Sequence, residues 1–331
     1  MQKSTWRKLF RKSMEDKAML RVGVLGVGGI SGTHIPAWKR IKEAELCALC
    51  DIRPEQMEAY VGLPHYTDAK EMLDKENLDI LDICLPTYLH AEYAAFAMER
   101  GIHVICEKPI SLHKKDAARL YETAAKNRVR FMVAQVLRFW PEYLYLKDAY
   151  DSGRYGKLLS GVMGRLGTRP GWSWDNWMTD EKRSGLVPFD LHIHDVDFMV
   201  YAFGRPNKST AFRSKCETQD YLHAVYEYDD FFISAEASWY ASPYPFQASF
   251  RFQFERAVIA NEAGRLMVYE KDGKTFQAGA DEQQSGTINL PQTDGYYNEI
   301  RYFTDCVLAG RDADIVKQEE LETVLDLLTA L

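Results

Sequence analysis

Between Leu20 and about Leu137, short apolar runs alternate with stretches of helical spacing. LRVGVLG, AELCALC, LDILDICLP, HVICE and RFMVAQVL are nearly unbroken in aliphatic residues and Cys. That is the pattern of strands buried on both faces of a parallel sheet. Between two of them, YLHAEYAAFAMER has helical spacing and is closed by Gly101, a residue suited to the left-handed backbone just past a helix end. Strand and helix in alternation predict a doubly wound α/β domain.

After Trp140 the texture changes. A helical pattern over residues 141–152 and a second one at FDLHIHDVD give way to strict period-2 alternation. In FQASFRFQF, Phe246, Ala248, Phe250, Phe252 and Phe254 share one face, and Gln247, Ser249, Arg251 and Gln253 the other. YLHAVYEYDDFFISAEASWY predicts a hairpin turning at Asp229-Asp230. The chain closes with helical patterns over 295–309 and 317–331. These features predict an α+β domain built on a large, mostly antiparallel open sheet, whose polar face is either solvated or an interface between subunits. The expected organisation is an extension over 1–18, a nucleotide-binding domain over 19–140, and a substrate and oligomerisation domain over 141–331.

A length of 331 residues exceeds one comfortable core, which agrees with two domains. Hydrophobic residues at 46% and charged residues at 27% are ordinary for a soluble globular chain and exclude a disordered one. A net charge of −7 argues against nucleic acid or an anionic membrane surface as partner. No run approaches the roughly 18 apolar residues that a membrane span needs. The opening MQKSTWRKLFRKSMEDKAML is basic but lacks the apolar segment of a secretory signal. Six scattered Cys, several inside apolar strands, suit reduced thiols and a cytoplasmic location. Cys47 and Cys50 stand three apart on a strand and face opposite ways, so no metal is expected there.

Candidate chemistry begins at VGVLGVGGISGTH. Gly26 makes a tight turn after the first strand, Gly28 lets a pyrophosphate approach the backbone, and Gly29 and Ile30 lead into a helix with free N–H groups. Ser31 takes the third fingerprint position, where a small residue still permits close helix–strand packing. The second strand ends at Asp51, an acid placed to accept both ribose hydroxyls of NAD and to repel a 2′-phosphate. Arg53 lies close enough to blunt that preference, yet NAD is expected over NADP. The expected fold is a Rossmann domain.

At ICEKPIS the sequence resembles the glucose–fructose oxidoreductase, inositol dehydrogenase and rhizopine-catabolism (Gfo/Idh/MocA) family, whose signature is Glu107-Lys108-Pro109 after a strand. Other landmarks follow in the family's order: the glycine turn at 26–29, LPTYLH at 85–90, LRFWP at 137–141, SGLVPFDLHIHDVD at 184–197 and DGYYNEIRYF at 294–303. The resemblance implies a nicotinamide-dependent oxidoreductase of sugars, polyols or cyclitols, assembled as a dimer or tetramer through its open sheet. It implies cofactor contacts at Leu85, Pro86, Thr87, His90, Glu107 and Lys108. It places Lys108 as the motif lysine, with Asp190 and His194 as the D-x-x-x-H pair. Two departures bear on the substrate: the glycine-rich lead-in to that helix is reduced to Ser184-Gly185, and position 192 is a His where many relatives carry a small or apolar residue.

Oxidising a secondary alcohol needs a base for the hydroxyl proton and a cation for the developing alkoxide. On an α-helix Asp190 and His194 stand at i and i+4 on one face, with Asp197 continuing the row. Phe189, Ile193, Val196 and Val200 form an apolar stripe that packs the helix down. His194 is the expected general base, titrating near neutrality; Lys108 polarises the reacting oxygen, and Asp190 positions substrate or relays a proton. Which of Lys108 and His194 carries the proton stays open. His192 and Asp195 lie on other faces, without a catalytic role, and helical spacing splays His192, His194 and Asp197 too far for a metal.

RPGWSWDNW, residues 169–177, sets Trp residues beside Arg169 and Asp175. Trp174 and Trp177 are candidates to stack on sugar rings, or else to plug the gap between domains. Arg138 and Trp140 either face the nicotinamide or staple the domains. Tyr296 and Tyr297 open a helix that, by the resemblance, returns toward the cleft, and these four residues are further substrate candidates. Two other readings stand beside the dehydrogenase: a glycosidase that keeps NAD bound and uses transient oxidation, and a non-catalytic cofactor sensor.

Overall fold

The structure, a computed structural model, describes residues 19–262, 264–278 and 294–331. The extension expected over 1–18 lies outside the described residues.

The first part is a six-stranded parallel sheet in the order β3-β2-β1-β4-β5-β6. Its strands are β1 (Leu20–Leu25), β2 (Ala44–Cys50), β3 (His65–Tyr66), β4 (Ile80–Ile83), β5 (His103–Glu107) and β6 (Phe131–Ala134). Every residue of β4 and β6 is buried, as unbroken apolar runs demand between two helical layers. The order reverses between β1 and β4, and ligands of such sheets bind at the carboxyl ends of the strands beside that reversal. The helices that cover it are α1 (Ser31–Trp38), α2 (Ala69–Lys75), α3 (Thr87–Met98) and α4 (Lys114–Asn127). β3 has two residues and no apolar run, so nothing in the hydrophobic pattern marked it.

α5 (Pro141–Asp151) leads into an eight-stranded sheet in the order β14-β13-β12-β11-β7-β10-β9-β8. These strands are β7 (Leu158–Thr168), β8 (Lys208–Lys215), β9 (Asp220–Glu227), β10 (Phe232–Tyr240), β11 (Gln247–Phe254), β12 (Ala257–Glu262), β13 (Arg265–Glu270) and β14 (Thr275–Ala278). All neighbours are antiparallel except β7 and β10. The expected hairpin is present, with Glu227 opposite Phe232. Phe250, Phe252 and Phe254 are buried while Arg251 and Gln253 are exposed, so one face is covered and the other open.

The covered face meets α5 and a helix reaching Phe203. Tyr143 stands edge-on to Phe198 and Phe250, with ring centroids 4.8 and 5.0 Å away. The buried core continues from the first sheet into the second, with a smaller cluster formed by Met178, Leu186, Val187, Leu222, Ala237 and Trp239. The last helices return to the first sheet. Arg301 pairs with Glu43 at 2.5 Å, Arg40 with Asp294 at 2.8 Å, and Lys114 with Asp326 at 2.9 Å. No helix among the described residues is long and apolar enough to cross a membrane.

Candidate active site

The glycine turn has the geometry a dinucleotide requires. Gly26 has φ +92°, and a Cβ there would stand 2.6 Å from the Cys84 carbonyl oxygen, so only glycine fits. A Cβ at Gly28 would meet nothing within 4 Å, which leaves open space where a pyrophosphate would lie. α1 starts at Ser31, with Ile30 half-buried at its N-cap. The Gly28 and Gly29 N–H groups reach no protein acceptor among the described residues, as an anion site at a helix N-terminus needs. Ser31 instead binds its hydroxyl to the Gly28 carbonyl at 2.7 Å.

Asp51 is buried at the end of β2. Its Oδ2 accepts the Val27 N–H at 2.8 Å and its Oδ1 the Arg53 N–H at 2.9 Å. The acid expected to read ribose therefore also holds the glycine turn in shape. Its oxygens keep spare lone pairs for hydroxyl donors. Arg53 Nε points back at the same oxygen from 3.4 Å.

At the other end, Leu85 and Pro86 are half-buried and Thr87 is buried at the start of α3. His90 is buried, with Nδ1 2.7 Å from the Pro109 carbonyl and Nε2 2.6 Å from the Leu85 carbonyl. It ties the two loops together. Burial holds its pKa below the ordinary value, so the ring is neutral and donates to one carbonyl at a time. Glu107 closes β5, and its Oε2 accepts the N–H of Lys108 at 3.0 Å. The Lys108–Pro109 peptide is cis.

Lys108 reaches across to the second part of the chain. Its Nζ donates to the Asp190 main-chain oxygen at 2.8 Å and meets Asp190 Oδ1 at 3.4 Å. The expected α-helix at FDLHIHDVD is corrected here. Pro188–His192 form a π-helix, and α-helix resumes over Ile193–Phe203. The wider turn breaks the simple i, i+4, i+7 row. Asp197 has left that row: it is buried and takes Arg138 through both carboxylate oxygens, at 2.9 and 2.7 Å. The apolar stripe is as expected, with Ile193 and Val196 fully buried.

His194 is half-buried, and its Nδ1 has no hydrogen-bond partner among the described residues. Burial first, then the cations of Lys108 and Arg165, push its pKa well below the usual imidazole value. The expectation that it titrates near neutrality is thereby corrected; at pH 7 it is a neutral imidazole. His192 and Asp195 are buried structural groups rather than solvated ones. His192 Nε2 lies 2.7 Å from the Tyr226 hydroxyl, and Asp195 accepts Arg165 Nε at 3.0 Å.

The substrate candidates divide. Arg138 is 0% exposed and spends its guanidinium on Asp197, the Ile315 carbonyl and Glu320. It is the staple, one of the two readings the sequence left open, and its candidacy as a substrate contact is corrected because Nε, Nη1 and Nη2 are all engaged by these partners. Trp140 is 2% exposed and packs edge-on to Tyr143, so it offers substrate no surface either. Trp174 is exposed, and Trp177 packs partly against the small cluster under the loop. Tyr296 and Tyr297 are half-buried on the helix Gly295–Ala309; Tyr296 lies 5.8 Å from the His34 ring, and Arg40 stacks over Tyr297 at 4.0 Å. The same loop brings in Trp172, which is exposed and reaches the glycine turn: a Cβ at Gly29 would stand 3.8 Å from its Cζ3.

Sequence reasoning missed the buried polar groups. His34, Asp82, Glu107, Arg165, Asp195 and Glu299 are all buried, in elements whose pattern reads simply as core. Of these only Glu107 was singled out as a site residue, through its motif; Asp195 was expected on another face of its helix without a catalytic role. His34, Asp82 and Cys84 have donor atoms within 4.8 Å of one another, the spacing of a metal site. Asp82 already accepts His34 and Trp38, and burial, then the Asp82 charge, pushes the Cys84 thiol up to about 12. Hydrogen bonding accounts for the cluster.

Residues 20–135 match the model of an oxidoreductase family with an NAD-binding Rossmann fold, and residues 143–265 match the GFO/IDH/MocA C-terminal domain. The chain is 28% identical over 207 residues to glucose-6-phosphate 3-dehydrogenase of Bacillus subtilis, covering 60% of this chain and 58% of that protein. It is 30% identical over 190 residues to myo-inositol 2-dehydrogenase of Thermotoga maritima, covering 56% of this chain and 55% of that protein. The matched stretch thus spans a little over half the length of these relatives. Levoglucosan dehydrogenase, solved with NADH and levoglucosan, shares the fold with a TM-score of 0.81 at 19% identity, over 94% of this chain and 96% of that one. With both parts of the chain matched, in order, to the two domains of one family, the chain belongs to the GFO/IDH/MocA oxidoreductases.

Proposed function

We propose that the protein is an NAD-dependent dehydrogenase that acts on a ring hydroxyl of a sugar or cyclitol. The observation that carries this reading is the contact of Lys108 with Asp190, which joins the carboxyl end of β5 to the segment bearing His194. The relatives named for sugar and inositol dehydrogenation support the substrate class.

The residues fit the cofactor: Gly26, Gly28, Gly29 and Ile30 for the pyrophosphate, Asp51 for one ribose, and Leu85, Pro86, Thr87, His90 and Glu107 around the other end. Bound there, NAD supplies the hydride acceptor. Lys108 donates to the substrate hydroxyl oxygen and stabilises the alkoxide as charge develops. His194, neutral because burial and two nearby cations oppose its protonation, takes the hydroxyl proton. Asp190 holds Lys108 in place. Trp174 and Trp177 offer aromatic faces to the C–H face of a sugar ring. The open face of the eight-stranded sheet carries Val162, Phe212, Phe232 and Tyr269 exposed; it serves as the interface between copies of the chain, which light scattering tests.

The test of activity is reduced-nicotinamide absorbance with NAD and a panel of aldoses, inositols and polyols. Turnover abolished in Lys108→Ala and His194→Ala supports the reading. Cofactor binding without turnover on any panel member overturns it.

A further inference from the structure

His34 sits in the first turn of α1, directly after the glycine turn, and is fully buried. Its Nδ1 lies 2.9 Å from Asp82 Oδ2 and 3.1 Å from Oδ1, and its Nε2 lies 3.1 Å from Glu107 Oε1. Both ring nitrogens therefore face carboxylates. Only a ring protonated on both nitrogens can donate to both. Burial, the largest single influence, opposes that charge, but Asp82 and Cys84 together outweigh it and the pKa lies well above the usual value.

The bonds continue at both ends. Trp38, one turn further along α1, donates Nε1 to Asp82 at 2.7 Å. Glu107 Oε2 accepts the N–H of Lys108 at 3.0 Å, and Lys108 Nζ reaches Asp190. Around this chain Tyr296 packs at 5.8 Å from the His34 ring. Glu299 is buried nearby with both carboxyl oxygens unpartnered; burial, and then the Glu107 charge, raises its pKa well above the usual value, so it adds no negative charge. Cys84 stays a thiol. The only cation facing Asp82 and Glu107 among these groups is His34.

We propose that His34 is a positioning residue: its imidazolium fixes the Glu107 carboxylate, and so couples the helix that receives the pyrophosphate to the turn that carries Lys108. Without it, Glu107 loses the partner that sets its rotamer, and a buried carboxylate pair loses its counter-charge. Asp51, at the adenosine end, is outside this chain of bonds. The inference rests on Glu107 being a cofactor contact.

The test is a double-mutant cycle on the NADH dissociation constant of the full chain, with His34→Gln and Glu107→Gln. Each single variant is expected to weaken NADH about 10–100-fold, the usual effect of removing a partner that orients a ligand-binding group. The double variant is expected to be no weaker than the worse single, because Glu107 no longer has anything for His34 to orient. The same cycle of His34→Gln with Asp51→Asn is expected to multiply. Effects of His34→Gln that multiply with both partners overturn the inference and mark His34 as packing only. Glu107→Gln with unchanged affinity overturns the underlying reading of Glu107 instead. Should His34→Gln not fold, ¹⁵N resonances of the wild-type imidazole decide: two protonated nitrogens at pH 8 are expected, and a single-protonated tautomer overturns the inference.

Discussion

Lys108 is held by the main chain of Asp190 more closely than by its side chain: the ammonium lies 2.8 Å from the carbonyl oxygen and 3.4 Å from Oδ1. A carbonyl survives substitution of its own side chain, so the two residues separate in mutagenesis. Lys108→Ala is expected to lower kcat by roughly 10²–10⁴, the usual weight of a group acting on the transferred proton or the developing charge. Asp190→Ala keeps the closer contact and is expected to cost at least tenfold less. Equal losses in kcat for the two variants would show that the carboxylate, not the carbonyl, governs Lys108.

His194 owes part of its depressed basicity to that same ammonium, after the larger effect of burial. Removing the cation in Lys108→Met raises the His194 pKa, while burial still keeps it below the usual value. Titration of the His194 ring by NMR should show its midpoint moving toward neutrality in the variant. An unmoved midpoint would mean that the two groups do not sense each other, and the lysine would then have no part in keeping the base neutral.

The doubly wound sheet was readable because its strands are buried on both faces, and such strands announce themselves as unbroken apolar runs. The alternating strands of the second sheet were equally plain for the opposite reason, one face being open. Two-residue β3 carries no pattern to read. Gly26 and Asp51 stood out through the glycine turn and the acid that ends the second strand, Asp190 and His194 through their i, i+4 spacing together with the family resemblance, and Lys108 through the family's motif alone. The π-turn over Pro188–His192 did not, since a helix widened by one residue keeps the composition of an ordinary one. Nor did His34, Asp82 and Glu299: a buried polar residue in an apolar run looks like tolerated noise until its partner is brought from a distant segment. For Arg138 the sequence left cleft and staple both open for the same reason, its partners Asp197 and Glu320 being remote in sequence.

His192 makes the fold sensitive to acid. It is fully buried, and burial, helped by Arg165, lowers its pKa from the ordinary imidazole value to about 3. Below pH 6.5 the unfolded chain binds a proton that the folded one refuses, so stability is retained above that value and lost as the pH falls toward 3. His192→Gln removes this linkage and can keep a hydrogen bond to Tyr226. As the pH falls across this window, the unfolding free energy of the wild type should drop relative to that of the variant by about 1.4 kcal/mol per pH unit. Denaturation curves that stay parallel from pH 7 to pH 4 would show that His192 is not the group responsible.

The Arg138–Asp197 pair joins the segment after β6 to the helix Ile193–Phe203, with neither side chain more than 1% exposed. Removing Arg138 leaves the buried Asp197 carboxylate without its counter-charge, at a cost of about 3–5 kcal/mol, whereas removing Asp197 leaves Arg138 still paired with the less buried Glu320. Arg138→Met should therefore lower stability by that order and Asp197→Leu by less, and the double variant should recover much of the Arg138→Met loss, because the fully buried carboxylate is gone. Chemical denaturation of the three variants measures this. Additive losses would show that the pair is not the unit on which the junction depends.

Trp172 gives the cofactor cleft its most accessible test. The residue is 69% exposed, yet its ring edge lies against the glycine turn, at 3.8 Å from where a Cβ on Gly29 would stand. An exposed Trp with no polar partner among the described residues adds little to folding, so Trp172→Ala should change stability by no more than about 0.5 kcal/mol. A ring in this place stands beside the Gly28–Gly29 turn, where it would shield a dinucleotide bound there from solvent. Trp172→Ala should therefore raise the NADH dissociation constant and speed its release, by about tenfold for a buried aromatic contact of roughly 1–1.5 kcal/mol. In the wild type, tryptophan fluorescence should fall on NADH binding, and Trp172→Phe should remove much of that quenching while keeping most of the affinity. Unchanged affinity and release in Trp172→Ala, with quenching intact in Trp172→Phe, would place the loop outside the cofactor site and leave Trp172 a surface residue.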